Sequence, residues 1–291
     1  MSKATKKAGR TAGNKPSKKK PPDPTGVDDI DRLAGLSPCA IQDYVRGVSA
    51  YIRGVSTLAA GPKKASQIRL SNALARVLAN ELGTHVPRLK GNLVTDEQKV
   101  AGGLRTANAD VSESHYLDGL RLAVELKPIN LAVGRAIWNR FGDVRTFAVN
   151  IHLKFPFAVV GGVLVIPTYE ETGTKAAKLA EAKEAAVAEG VEPGDELAVI
   201  EFTEQAEPRP AAAPTRKSTV HLIERAIERL IRAGGRKSEA ESAHLLEGIA
   251  VVAFDPETAT IDANLPKPGS GLRWDEFVNA LVTAYRARFE D

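Results

Sequence analysis

Three residues of the stretch "ADVSESHYLDGLRLAVELKPIN" (109–130) have the types and spacing to do chemistry: Asp110, Glu125 and Lys127. Glu125 and Lys127 stand two apart in "AVELKP", so on a strand both project from one face, with Cα atoms about 6–7 Å apart. A carboxylate and an ammonium held this way, with a second carboxylate brought in from a neighbouring strand, form the smallest kit for hydrolysing a phosphodiester. The carboxylates and bridging waters hold Mg²⁺, which neutralises charge at phosphorus and acidifies a water. The lysine orients that water or stabilises the developing negative charge. The competing reading of Glu125 and Lys127 is a same-side ion pair on a solvated outer face.

The second carboxylate has two candidates. Leu120, Leu122, Val124 and Leu126 alternate with Arg121, Ala123, Glu125 and Lys127, the period of a strand with one apolar face. Ala109 and Val111 alternate with Asn108, Asp110 and Ser112, which suggests a short preceding strand. The intervening "HYLDG" is a hairpin signal. A hairpin centred near 117–118 sets Asp110 opposite Glu125. Asp118 is nearer in sequence, but it reaches Glu125 only if the turn closes around 120–122. Asp110 is preferred and Asp118 stays open.

These residues resemble the core of the PD-(D/E)XK nuclease superfamily, type II restriction endonucleases in particular. There an acidic residue is followed, after a variable gap, by Asp/Glu-x-Lys at the end of the next strand. Asp110, Glu125 and Lys127 match that pattern; Ala109 stands where the family usually has proline. The shorter Asp118-to-Glu125 spacing is similar to the mismatch-repair nicking branch. The resemblance covers about residues 66–167. It implies metal binding by Asp110, Glu125 and the Leu126 carbonyl, water orientation by Lys127, and a contribution from Glu81 on the first core helix. It also implies Mg²⁺ as cofactor, double-stranded DNA as substrate, a homodimer matched to a palindromic site, and a companion DNA methyltransferase. The expected activity is a type II site-specific endodeoxyribonuclease. The alternatives are a repair or structure-specific nuclease of the same fold, and a non-catalytic DNA-binding protein with a degenerate nuclease fold.

The elements that must position these residues follow from periodicity. Leu70, Leu74, Val77, Leu78 and Leu82 make a helix of 66–82. Residues 84–105 read as a loop. Asn130 is a candidate cap for a helix over 131–141, closed by Gly142-Asp143. "TFAVNIHLKF" (146–155) reads as a strand, and "FAVVGGVLVIP" as a buried strand or hairpin turning at Gly161-Gly162. Helices are expected over 173–189, 218–233 and 273–290, with a strand at 247–254. The fold class is therefore mixed α/β: a mixed central sheet flanked by helices, an α-β-β-α-β core, and helical C-terminal additions. Residues 1–26 read as a disordered basic tail, 27–190 as the nuclease core, 191–217 as linker or loop, and 218–291 as a C-terminal region packed on the core.

Composition narrows the partners. The 291 residues are 43% hydrophobic and 26% charged, enough for a packed body. Net charge is +4, but residues 1–26 hold seven Lys, one Arg and one Asp, a net +7, which leaves −3 for the rest. DNA affinity of the body then needs a local basic patch. Candidates are Arg135, Asn139, Arg140 and Arg145 around the helix after the motif, and Asn150, His152 and Lys154 on the 146–155 segment. The single cysteine, Cys39, leaves no internal disulfide and suits a reducing, cytoplasmic setting. The longest apolar run, Phe157 to Pro167, is too short to span a bilayer. The five histidines lack zinc-ligand spacing, and "GPKKAS" lacks the spacing of a phosphate-binding loop.

Overall fold

The computed structural model describes residues 40–54, 60–172 and 215–290. The basic tail, Cys39, the helix expected over 173–189 and the 191–214 part of the linker lie outside the described residues. The chain runs α1 (Ile41–Gly54), α2 (Ala60–His85), a 3₁₀ turn (Pro87–Leu89), β1 (Gln98–Val100), β2 (Ala107–Ala109), β3 (Val111–His115), β4 (Gly119–Pro128) and α3 (Val133–His152). It continues with β5 (Val159–Pro167), β6 (Tyr169–Thr172), β7 (Thr215–Ser218), α4 (Val220–Leu230), β8 (Gly248–Asp255), β9 (Thr260–Ile261) and α5 (Trp274–Phe289). No helix among the described residues is long and apolar enough to cross a membrane.

The central sheet has the order β3-β4-β5-β8-β9. Its outer pairs are antiparallel and its inner pairs, β4–β5 and β5–β8, are parallel. This is a mixed α/β protein, and strand alternation makes two cores of the one sheet. Leu122, Val124, Leu126, Val163, Val165 and Val252 pack with α1, α2 and α5. Ala123, Val160, Leu164 and Val251 pack with α3 and α4 on the opposite face. β8 comes from the C-terminal region yet pairs with β5 inside the sheet, so that region is built into the layers.

Burial on both faces of β4 overturns the competing reading of a solvated outer face. Arg121 is only 6% exposed and Glu125 only 9%. Arg121 reaches this state because its Nε donates to Asp118 at 2.5 Å.

The segment 146–155 is not a strand. α3 continues through Gly142 to His152. "TFAVNIHLKF" fits a two-residue period, but Val144, Phe147, Ala148 and Ile151 also fall at i, i+3, i+4 and i+7, and all four are buried. Topology decides between the two. β4 and β5 are parallel neighbours, and a parallel pair needs a crossover of a dozen residues or more, usually a helix. Gly161-Gly162 is likewise no turn; both residues lie inside β5. A Cβ on Gly162 would come within 2.3 Å of Val144 Cγ1, so glycine is what lets α3 approach the sheet here.

Two further expectations are corrected. Residues 84–105 are not wholly loop, since β1 pairs antiparallel with β2. Asn130 does not cap α3. Ala132 occupies the cap position at φ 52°, and the Val133 N–H donates to the Glu170 carboxylate of β6 at 2.8 Å. The Asn130 Oδ1 is buried without a partner.

Candidate active site

The β3–β4 hairpin holds Asp110 beside Glu125. Val111 pairs with Val124, Ser112 with Ala123 and Glu113 with Leu122, and a bulge after Glu113 shifts only the turn side. Continuing the undisturbed register puts Asp110 across from Glu125. Two hydrogen bonds fix it there: the Asp110 N–H donates to the Val124 carbonyl at 3.1 Å, and the Leu126 N–H donates to Asp110 Oδ2 at 2.6 Å. Lys127 Nζ is ion-paired with Glu125 Oε1 on the same face. The three side chains share a cleft of about 430 Å³ with Glu97, Arg105, Asp143 and Asn150.

This cleft is electrostatically unfinished. Burial pushes the Asp110 carboxyl above its ordinary range, and Glu97 adds to that, while the Leu126 N–H and Lys127 oppose it. Burial pushes Glu125 further, to about 7, against the attraction of Lys127; Asp110 and Asp143 push in the same direction as burial. One ammonium therefore faces two desolvated carboxylates, Asp110 and Glu125, a state that a further cation relieves. The donors, two carboxylates beside backbone and open solvent space, are the hard oxygens that Mg²⁺ takes while keeping several waters. Among the described residues no group of three or more His, Cys, Asp or Glu side chains is arranged to hold a metal by itself. Water and phosphate oxygens would have to complete the shell.

The other expected site residues separate into those the fold brings here and those it does not. Asp118 is at the hairpin turn, about 20 Å along the strand from Glu125, paired with Arg121 and 3.5 Å from His115. It is not a partner of Glu125. Glu81 lies on the other face of the sheet, where its Oε2 accepts from Trp274 Nε1 at 2.6 Å. His152 is buried, with Nε2 3.3 Å from Glu247 and Nδ1 3.1 Å from the Ala243 carbonyl, so it offers DNA no surface. Lys154 is exposed but lines a different cleft with Asp118, Arg121 and Arg288, at the start of β4 and β5.

Asn150 reaches the active cleft, where it hydrogen-bonds the backbone of a neighbouring loop. Its Oδ1 accepts the N–H groups of Leu104 and Arg105 at 2.8 and 3.1 Å, and its Nδ2 donates to the Arg105 carbonyl at 2.7 Å. It ties the 102–105 loop, and with it Arg105, to α3. Arg135, Asn139 and Arg140 line a neighbouring groove of about 710 Å³. Arg140 pairs there with Asp143 at 3.0 Å.

Sequence reasoning missed Asp143, Arg105 and Glu97. The signal for Asp143 was present: read as one helix, α3 sets Asp143, Phe147 and Asn150 at i, i+4 and i+7, on one face toward β4. Arg105 and Glu97 arrive on connecting segments, and no local pattern marks them.

Comparison with protein-family models, with curated proteins and with solved structures found no match to this chain.

Proposed function

We propose that this chain is a Mg²⁺-dependent endodeoxyribonuclease of the PD-(D/E)XK type, acting on duplex DNA, with Asp110, Glu125 and Lys127 as its catalytic residues. One observation carries the proposal: half-buried Asp110, just before β3, lies across from buried Glu125 on the antiparallel strand β4, with a lysine two residues along, in an open cleft. A structural ion pair would explain Lys127 and Glu125. It would not explain a second carboxylate, itself desolvated, fixed beside them by two backbone hydrogen bonds. The order α2, β3, β4, α3, β5 also supports a restriction-endonuclease-like core, as does the parallel β4–β5 step across α3.

In this proposal Asp110 and Glu125, with the Leu126 backbone carbonyl, would hold the ion. Bound Mg²⁺ would supply charge neutralisation at phosphorus and an acidified water. The protein residues do the rest. Lys127, held by Glu125, keeps an ammonium where a water can be oriented and negative charge met. Burial of both carboxylates strengthens every electrostatic contact in the cleft. Attack in line with the leaving oxygen leaves a 5′-phosphate and a 3′-hydroxyl. Incubation of supercoiled plasmid with protein and Mg²⁺ is expected to give nicked or linear DNA whose ends T4 ligase rejoins without prior treatment. Products that cannot be religated, or cleavage unaffected by EDTA, would count against it.

A further inference from the structure

We propose that α3 and α4 form a phosphate-contacting track leading into the cleft, with Arg225 and Arg229, stacked on Trp138, as its fixed points. The choice of duplex DNA as the occupant rests on the nuclease proposal above. The geometry of the arginines stands independently of it. The Arg229 guanidinium lies 4.5 Å and that of Arg225 5.5 Å from the centroid of the half-buried Trp138 ring. Two turns on along α3 from Trp138, Arg145 lies 5.8 Å from the Phe141 ring. Trp138 lines the groove with Arg135, Asn139 and Arg140, and that groove shares Asp143 with the active cleft. The two depressions meet at Asp143.

These arginines lack carboxylate partners and lie close together. Several exposed arginines elsewhere are neutralised, Arg46 by Asp43 at 2.6 Å, Arg216 by Glu257 at 2.5 Å and Arg286 by Glu290 at 3.6 Å, while Arg105 and Arg232 carry no ion pair among the described residues. In the groove only Arg140 has such a partner. Among the described residues, Arg135, Arg145, Arg225 and Arg229 make no ion pair. Glu224 and Glu228 stand about 100° around α4 from them and pair with neither Arg225 nor Arg229. Four unpaired guanidiniums in one patch repel one another, which a body carrying net negative charge has no need to tolerate without an anionic partner. Stacking on an aromatic face fixes the guanidinium plane while leaving its N–H edge free, the arrangement suited to bidentate phosphate contact. The N-terminus of α3, the other anion site in reach, is already taken by Glu170.

The test is fluorescence anisotropy of end-labelled duplex DNA with the full chain in EDTA, where cleavage is stopped, across a salt series. Wild type, Arg225→Ala/Arg229→Ala, Arg225→Lys/Arg229→Lys and Arg46→Ala would be compared, each with its urea midpoint measured. The alanine pair is expected to lose at least tenfold in affinity, equally on unrelated sequences. Its salt slope should fall by about 2, since each phosphate contact contributes about 0.9. The lysine pair keeps charge but loses the stacked fork, and should fall between the two. Arg46→Ala, on α1 across the sheet from the groove, should retain wild-type binding. Alanine-pair binding within twofold of wild type at unchanged slope would overturn the track, as would a wild type that binds no duplex. If binding depends on the arginines but wild type never cuts, the track stands and the nuclease reading fails. If wild type cuts and the alanine pair binds normally, the track alone fails.

Discussion

Replacing Glu125 by Gln should make the metal-free protein more stable while destroying its activity. Glu125 is 9% exposed and its carboxyl is pushed up to about 7, burial being the largest cause. A carboxyl whose folded value lies above its unfolded 4.5 contributes stability that is fully present below 4.5 and is lost as pH rises through 7. The displacement is worth about 3 kcal/mol at ~1.4 kcal/mol per pH unit. Glutamine removes that term. It also removes the partner of Lys127, which is 21% exposed at its side chain and can turn to water, a loss of about 1 kcal/mol. At pH 8 in EDTA, Glu125→Gln should therefore gain about 1–3 kcal/mol, and at pH 4 the gain should vanish. Mg²⁺ should stabilise wild type but not the variant, by about 2.7 kcal/mol at a hundred times its Kd. Urea unfolding followed by circular dichroism at pH 4 and pH 8, with EDTA or Mg²⁺, reads all four quantities. A variant less stable than wild type at pH 8 in EDTA would refute the electrostatic reasoning, and equal Mg²⁺ stabilisation of both proteins would refute the metal assignment.

Other substitutions separate site from scaffold. Asp118→Asn should leave DNA cleavage within a few fold of wild type, because Asp118 serves the hairpin turn; a nuclease-dead variant would restore it as a metal ligand. Asn150→Ala should cost about 2–3 kcal/mol through the loss of three part-buried hydrogen bonds, and should lower cleavage by freeing Arg105; unchanged urea midpoint and rate would contradict this. Glu247→Gln should cost about 3–5 kcal/mol in urea unfolding at pH 7, since it strips a buried carboxylate from Arg236 at 2.9 Å and Arg288 at 2.8 Å. Burial alone would raise the Glu247 carboxyl, but the His152 ring, the Val160 N–H and Arg288 hold it down at about 2. Its stabilisation is therefore present above 4.5 and lost as pH falls toward 2, so the wild-type and variant curves should converge in acid.

The hairpin was legible because its information is local. The alternation of β4 and the Asp-Gly turn define that strand and its pairing, which puts Asp110 opposite Glu125; the strand expected around Ala109–Ser112 is instead split at Asp110 into β2 and β3, with Ala109 and Val111 in opposite cores. The long helix α3 was not legible, because Phe147, Val149, Ile151 and Leu153 satisfy the strand period while Val144, Phe147, Ala148 and Ile151 satisfy the helical one. Only the crossover demanded by parallel β4 and β5 separates them, and that pairing is a tertiary fact. The same error hid the site's second wall. With 146–155 taken as a strand, Asn150 and His152 became a polar face, when one ties down a loop and the other is buried against Glu247. Gly161-Gly162 failed in a related way: two glycines in sequence suggest a turn, but here the missing side chains make room for α3 and α5 against the sheet.

The most direct measurement is a digest of unmethylated plasmid and phage DNA with purified protein and Mg²⁺, run beside Asp110→Asn and Lys127→Ala. Wild type is expected to give discrete bands in Mg²⁺ and none in EDTA, with both variants silent yet still bound to DNA. Intact DNA in every lane across a broad panel of substrates, or equal cutting by wild type and both variants, would contradict the assignment of Asp110, Glu125 and Lys127 as a nuclease site.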